Sequence, residues 1–428
     1  MSKKTTDHRR RRFLKTAISA GAAMLAAPQF IPSSALGKDG AVAPSERIVV
    51  GGIGIGNRGT YDLGCFLEQK DVQFVAVCDV KAARRDAIKK IADQKYGNQD
   101  CGMHRDFREL LDRSDIDAVL IATGPNWHAA ASMYAARAGK DIYCEKPCTK
   151  NIAQSLILRD TMRRSGRVFQ AGTQRRSLPH FAFACELART GKLGKLKAVH
   201  AHPAGMAAAM SGWLPAETEP AKEVIDWDMY LGPAAWRPFN PKFLDGFNFE
   251  KGGGLVGGGV LEWGSHCVDL CQWAVGDCPP PVEYNAPKDG QLVARYENGV
   301  ELIFRDSGWI PLGSCPVRFE GETGWVEAGD SGKMVLSSPE LIAGRTVEEI
   351  GGYPATFHVR DFLDCVKTRS QPKGNADAAC FSHIACHAAN IAIALDRKVT
   401  YDLEKHEFVD DVAANRLRSE ALREPWRI

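Results

Sequence analysis

The chain has 428 residues, 44% hydrophobic and 25% charged, the balance of an ordinary soluble globular protein with material for two domains. A formal net charge of +3 is near neutral, and part of the positive excess sits in the first fifteen residues. The remaining body carries no basic bias, which sets aside a nucleic-acid partner.

Residues 1–37 read as a targeting segment rather than part of the fold. Arg9 to Arg12 and then Phe13-Leu14-Lys15 precede an apolar stretch from Thr16 to Ala27, and Ala35-Leu36-Gly37 offers a small-residue cleavage site. The string Arg10-Arg11-Arg12-Phe13-Leu14-Lys15 resembles a twin-arginine leader. The apolar stretch falls short of the ~20 residues a membrane span needs. No Cys lies in the leader, so no stable membrane anchor is expected. Such a route exports a protein already folded, to the periplasm of a Gram-negative bacterium. The plainer reading, a basic tail before a short buried helix, stands beside it.

From Glu46 short apolar runs alternate with helical stretches over residues 46–170. Strands are expected at Arg47–Ile53, Val72–Cys78, Ile116–Ala122, Asp141–Cys144 and Arg167–Gln170. Helices are expected up to Glu68, through Lys95, and over Trp127–Arg137 and Ile152–Arg164. This alternation means a parallel sheet with helices on both faces. Gly54-x-Gly56-x-x-Gly59 follows the first strand and opens the first helix. The first glycine makes the tight turn, the second lets backbone approach a pyrophosphate, and the third allows close helix–strand packing. The helix N-terminus then offers free N–H groups to phosphates. Asp79 ends the second strand twenty residues after Gly59, where a ribose-binding carboxylate belongs. That context makes the segment a Rossmann domain. A carboxylate there repels a 2′-phosphate, so the cofactor expected is NAD. Lys81, Arg84 and Arg85 either soften that preference or form a solvated helix face.

The pattern changes over residues 171–428, which read as an α+β domain with a mainly antiparallel sheet. A helix at Phe181–Ala188 and a strand at Lys195–His202 lead into an irregular Pro-, Trp- and Gly-rich segment, Pro203–Gly254. A helix near Ser265–Val275 follows. Strands are expected at Leu292–Tyr296, Val300–Phe304, Val317–Glu320 and Gly324–Glu327, with an Asn298-Gly299 hairpin turn. Helices at Val359–Thr368 and Cys380–Leu395 close the body. The thirteen cysteines show no paired zinc-ligand spacing, so no metal is expected. Folding under reducing conditions before export leaves disulfides unnecessary. The aromatic residues Trp213, Trp227, Trp236, Phe239, Phe243 and Phe247 suit either sugar stacking or ordinary packing. The antiparallel sheet offers a face for a homo-oligomer.

Two groups of residues suggest chemistry. Glu145-Lys146-Pro147 follows the strand ending at Cys144, and strand carboxyl ends form the ligand crevice of such sheets. A Lys there can bind a substrate hydroxyl and shuttle a proton; a surface Lys before a turn is the alternative. Glu262, His266 and Asp269, spaced i, i+4 and i+7, share one helix face behind the Gly252–Gly259 run. His suits proton transfer near neutrality, although two carboxylates holding a helix-start His is an equal reading.

With Pro125-Asn126-Trp127-His128 and Gln174-Arg175-Arg176, these elements resemble the glucose–fructose oxidoreductase/inositol dehydrogenase/rhizopine-catabolism family, from about Glu46 to Asp402. The resemblance implies catalytic roles for Lys146, Glu262 and His266, with Glu262 standing where the family has Asp. It implies a cofactor site of Gly54, Gly56, Asn57, Arg58, Gly59, Asp79, Trp127, His128, Glu145 and Lys146. It further implies oxidation of a hydroxyl on a small carbohydrate or polyol with tightly held NAD. The leader, Gly56-Asn57-Arg58-Gly59, Trp127-His128 and the Ser265-His266 region also resemble the NAD-dependent glycosidases. Those enzymes oxidise C3 of a sugar, eliminate the aglycone, add water and reduce the ring again. The Tyr expected four residues before the His is replaced by Glu262. A non-catalytic NAD-stabilised sugar-binding protein is the reading from another class. Lys146 and His266 together argue against it, because binding needs no proton shuttle.

Overall fold

The computed structural model describes residues 42–203, 214–244, 259–276, 278–287, 291–342, 344 and 356–426. The predicted leader, Trp213, Phe247 and nearly all of the Gly252–Gly259 run lie outside them. Residues before Ile48 form a unit of their own, of which one 3-10 turn, Pro44–Glu46, is described.

The second unit starts with the expected alternation: β1 (Ile48–Ile53), α1 (Asn57–Leu67), β2 (Val72–Cys78), α2 (Ala82–Tyr96), β3 (Gly102–His104), α3 (Phe107–Leu111), β4 (Ala118–Ile121), α4 (Pro125–Arg137), β5 (Asp141–Cys144), α5 (Ile152–Ser165) and β6 (Phe169–Ala171). All pairings are parallel, in the order β3-β2-β1-β4-β5-β6. The order reverses between β1 and β4, the topological switch point where a doubly wound sheet opens a crevice. Central strands β4 and β5 are buried at every position, the signature of a sheet covered on both faces. The three-residue edge strand β3 and the short helix α3 escaped the sequence reading.

Beyond β6 come α6 (Pro179–Arg189), β7 (Leu196–Ala201), α7 (Trp227–Leu231), α8 (Val260–Val275), β8 (Glu283–Asn285), β9 (Val293–Arg295), β10 (Glu301–Phe304), β11 (Val317–Gly321), β12 (Trp325–Ala328), β13 (Met334–Leu336), α9 (Thr356–Thr368), α10 (Ala376–Leu395), β14 (Val399–Asp402), β15 (Glu407–Phe408) and α11 (Val412–Arg416). Nine strands form one mixed, mostly antiparallel sheet, in the order β13-β12-β11-β7-β10-β9-β8-β14-β15. The β9–β10 hairpin turns at Gly299 (φ +85°), while β10 pairs with β7 in parallel. Inward residues such as Val199, Phe304 and Phe319 pack against α6, α8 and α10. Helix α10 is apolar and long enough to cross a membrane, but most of it is buried in this core.

Two features tie the halves together. Helix α9 returns to the first sheet, where Phe362 packs edge-on against Phe66 and Tyr143. The 3-10 turn Gln174–Ser177, just after β6, inserts Arg176 into the interior. Its guanidinium forks onto the Asp269 carboxylate of α8 at 2.6 and 3.1 Å, with both side chains almost fully buried. Breaking such a pair strands a buried charge. Arg176→Ala should lower unfolding stability by about 3–5 kcal/mol in denaturant titration. A loss under ~1 kcal/mol, the worth of an exposed pair, would show that the pair does not hold α8.

Candidate active site

The glycine loop has the geometry its spacing predicts. Gly54 sits at φ +68°, and a Cβ there would lie 2.3 Å from Thr123 Cγ2 and 2.7 Å from its Cα. A Cβ on Gly59 would come within 2.7 Å of Ala122 Cβ, so this glycine lets α1 press against the end of β4. A Cβ on Gly56 would meet nothing within 4 Å. That opening faces the start of α1, where N-cap Gly56 has no side chain to satisfy the first-turn N–H groups. Eleven residues of helix dipole therefore end on first-turn N–H groups that no capping side chain among the described residues takes up, a fitting seat for a pyrophosphate.

A cavity of about 520 Å³ opens beside this loop, within the range of small-molecule sites. Gly54, Gly56, Asn57, Arg58, Asp79 and Trp127 all line it. Asp79 Oδ1 accepts the Lys81 backbone N–H at 2.9 Å, which holds the carboxylate at the mouth of β2. Burial raises the Asp79 carboxyl above its ordinary value, against the pull of Lys81, Arg84 and Arg85. Arg84 donates to Asn57 Oδ1 at 2.8 Å, and Lys81, Arg84 and Arg105 also border the cavity. These residues fit a dinucleotide: phosphates at the helix start, ribose hydroxyls at Asp79.

The second constellation forms where β5 ends. Lys146 Nζ meets Glu262 Oε1 at 2.6 Å and the Glu262 carbonyl at 3.2 Å. Helix α8 begins at Val260, five residues before the expected start, and so carries Glu262 as well as His266. Neither carboxylate on that face holds His266. Glu262 is drawn to Lys146, Asp269 to Arg176, and His266 Nδ1 has no hydrogen-bond partner among the described residues. Glu262 Oε2 is likewise buried without a partner. Burial, reinforced by Arg175, Lys146 and Arg58, pushes the His266 imidazole well below the usual histidine range. At neutral pH it is an uncharged base.

Three predicted contacts turn their polar groups elsewhere. Glu145 lines no part of the cavity; it lies buried behind the loop, accepting from Gln174 Nε2 at 2.5 Å and the Lys146 N–H at 3.2 Å. Arg58 borders the cavity but sends its guanidinium to Asp62 (2.9 Å) and Glu145 (3.5 Å). Burial and the Glu145 charge push Asp62 up to about 9, only partly offset by Arg58. His128 is buried, with its ring nitrogens 2.7 and 3.0 Å from the Pro147 and Thr123 carbonyl oxygens. It thereby joins the loop after β5 to the loop after β4. The sequence reading gave no role to Trp263, whose ring faces Lys146 and Arg175 at 5.9 and 5.7 Å. Nor did it find that Arg175 grips Asp330 at 2.6 and 3.0 Å. Met229, Tyr230, Phe243 and Leu244 also enter the cavity wall from outside the first sheet.

Residues 48–173 match the family described as "Oxidoreductase family, NAD-binding Rossmann fold", and residues 199–428 match its C-terminal alpha/beta domain. The chain belongs to that oxidoreductase family. It is 34% identical over 170 residues to an α-N-acetylgalactosaminidase of Shewanella oneidensis, covering 36% of this chain and 37% of that protein. The chain thus spans little more than a third of the curated relatives it matches. The myo-inositol 2-dehydrogenase of Lactobacillus plantarum shares the fold at TM-score 0.57 and 17% identity, covering 83% of this chain and all of the other. The WlbA dehydrogenase of Chromobacterium violaceum, solved with NADH and UDP-GlcNAcA, does so at 0.61 and 16%, covering 85% and 98%.

The glycines separate binding from folding. Gly59→Ala should destabilise the fold and Gly56→Ala should not, while Gly56→Ala should weaken NAD binding in calorimetry. Equal thermal stability of the two variants would contradict the packing described. With Asp79 as the expected acceptor for the ribose hydroxyls, NAD affinity should fall as pH drops through its raised pKa. That loss should begin at a less acidic pH than for an ordinary Asp and vanish in Asp79→Asn. An unchanged pH dependence in Asp79→Asn would remove Asp79 from the site.

Proposed function

We propose that this protein oxidises a hydroxyl of a sugar, polyol or sugar derivative, using NAD that it holds through many turnovers while a second, carbonyl-bearing substrate takes the hydride back from the bound cofactor. One observation carries the reading. Glu262 Oε2 and His266 Nδ1, one helical turn apart on α8 and beside Lys146, are both buried without partners among the described residues. Each such atom costs about 1–3 kcal/mol, a cost relieved when a hydroxylated ligand supplies the missing hydrogen bonds.

The residues divide the work as follows. Lys146, anchored by Glu262, orients the substrate hydroxyl. His266 is neutral and takes the hydroxyl proton as the carbon is oxidised. Burial keeps His266 neutral, and the nearby cations that add to this effect also favour negative charge developing on the substrate oxygen. Bound NAD supplies the hydride acceptor. Trp263 covers Lys146 and Arg175 with an aromatic face, which excludes water from their charged groups.

The kinship to an α-N-acetylgalactosaminidase supports a second reading, in which oxidation is transient. Oxidation at C3 acidifies the neighbouring C2 proton; its removal expels the C1 substituent, water adds across C1 and C2 to return the proton to C2 and place a hydroxyl on C1, and the reverse hydride step to C3 closes a redox-neutral cycle. Either reading suits export by the twin-arginine-like leader with NAD already bound. Retention for hours requires an off-rate on the order of 10⁻⁴ per second. With association at ~10⁶ per molar per second, Kd is roughly 10⁻¹⁰ M, or about −14 kcal/mol.

Lys146→Ala and His266→Ala should each lower turnover by about 10²–10⁴-fold with little change in NAD affinity. Wild-type activity should fall on the acid side only as pH drops through the depressed His266 value, well below that of a free imidazole. Near-full rates in both variants would overturn the assignment. A panel of free sugars and chromogenic glycosides separates the readings. Oxidation of one free sugar matched by reduction of a carbonyl co-substrate, with no added NAD consumed, marks the oxidoreductase; aglycone release from a chromogenic glycoside marks the glycosidase; and NAD consumed in proportion to product overturns retention.

A further inference from the structure

We infer that residues 221–244 form a strap closing the adenosine half of the NAD cleft, so that nucleotide enters and leaves only when the strap lifts. The inference deepens the retained-cofactor reading and supplies its physical means. Met229, Tyr230, Phe243 and Leu244 complete the wall of the cavity that Asp79 and the glycine loop begin. These largely apolar side chains share the cavity with Asp79, and a purine base needs an apolar surface beside its ribose.

The strap has its own small core and does not rest loosely on the sheet. Trp227 stacks on Tyr230 at 5.1 Å and meets Phe239 edge-on at 5.2 Å, and the Tyr230 hydroxyl donates to the Phe243 carbonyl at 2.8 Å. It is docked by hydrogen bonds on both sides of the cleft. Ala82 N–H donates to the Val224 carbonyl at 2.9 Å and Asp226 N–H to the Val80 carbonyl at 3.1 Å, pairing Lys81 with Ile225 immediately after Asp79. Across the mouth, Asn126 Nδ2 donates to the Tyr230 and Leu231 carbonyls at 3.1 and 2.9 Å. Trp127 Nε1 donates to the Met229 carbonyl at 2.7 Å. Gly232, at φ +50°, lies so close that a Cβ there would sit 2.2 Å from the Trp127 ring. The strap therefore spans from the end of β2 to the start of α4, the two edges between which the adenosine must pass.

The bridge at Lys81 and Ile225 suggests a reversible lock. It is a non-hydrogen-bonded antiparallel pair, a geometry with Cα atoms about 4.5 Å apart and within disulfide range. In K81C/I225C, nucleotide release from the purified holoenzyme into ultrafiltrate should be at least about tenfold slower oxidised than reduced. Nucleotide-free protein oxidised before NAD is added should fail to load. Asn126→Ala, which removes two strap bonds, should speed wild-type release by about tenfold with unchanged helical content. Equal release from the oxidised and reduced forms, with the disulfide confirmed by thiol titration, would overturn the strap. Should the double variant fail to fold, unaltered release in Asn126→Ala does so. Wild-type protein that exchanges NAD within seconds would instead defeat retention. The oxidised-to-reduced ratio would still decide the strap.

Discussion

The contact between Lys146 and Glu262 sets the terms for the rest of the molecule. It requires the first turns of α8, from the second domain, to lie against the carboxyl end of β5 in the first. Two charged side chains mostly withdrawn from water gain from each other only when their geometry is held closely. Three consecutive residues of one 3-10 turn do that holding. Gln174 fixes Glu145 beside Lys146, Arg175 grips Asp330 below the second sheet, and Arg176 pins Asp269 two turns along α8 from Glu262. Buried pairs of this kind add little net stability but penalise any other register. The domain interface is therefore also the frame of the site.

Legibility in the sequence followed the range of the interaction. The roles of Gly54, Gly56 and Gly59 are local backbone geometry, and Asp79 is placed by a strand end, so both could be read directly. Side-chain direction could not. Glu145 and His128 sit inside recognisable motifs, yet one points at Gln174 and Arg58 and the other at two loop carbonyls. The start of α8 was read late because Gly264 interrupts a helical pattern. That glycine is there for α10, since a Cβ on it would come within 2.8 Å of Cys386 Sγ. Arg176–Asp269, Arg175–Asp330 and the β7–β10 parallel pairing link residues far apart in sequence, and no local pattern announces them. The strap is the largest such omission: its composition reads as loop, and long-range contacts such as Ile225 with Lys81 and Met229 with Trp127 give it a place.

A site that runs a hydride out and back has a constraint that a one-way dehydrogenase lacks. The proton taken during oxidation must remain available for the return step, so its acceptor should exchange slowly with solvent. His266 is only 3% exposed, and its Nδ1 has no protein partner among the described residues to pass a proton to. The same cations that depress its basicity make the protonated imidazole a stronger acid, ready to give the proton back. Burial thus serves both directions of the reaction. In the proposed reaction the strap would cover the adenosine and α8 the reacting end, so the same packed walls would retain both cofactor and proton. This favours a closed redox cycle over one that exchanges NAD at every turnover.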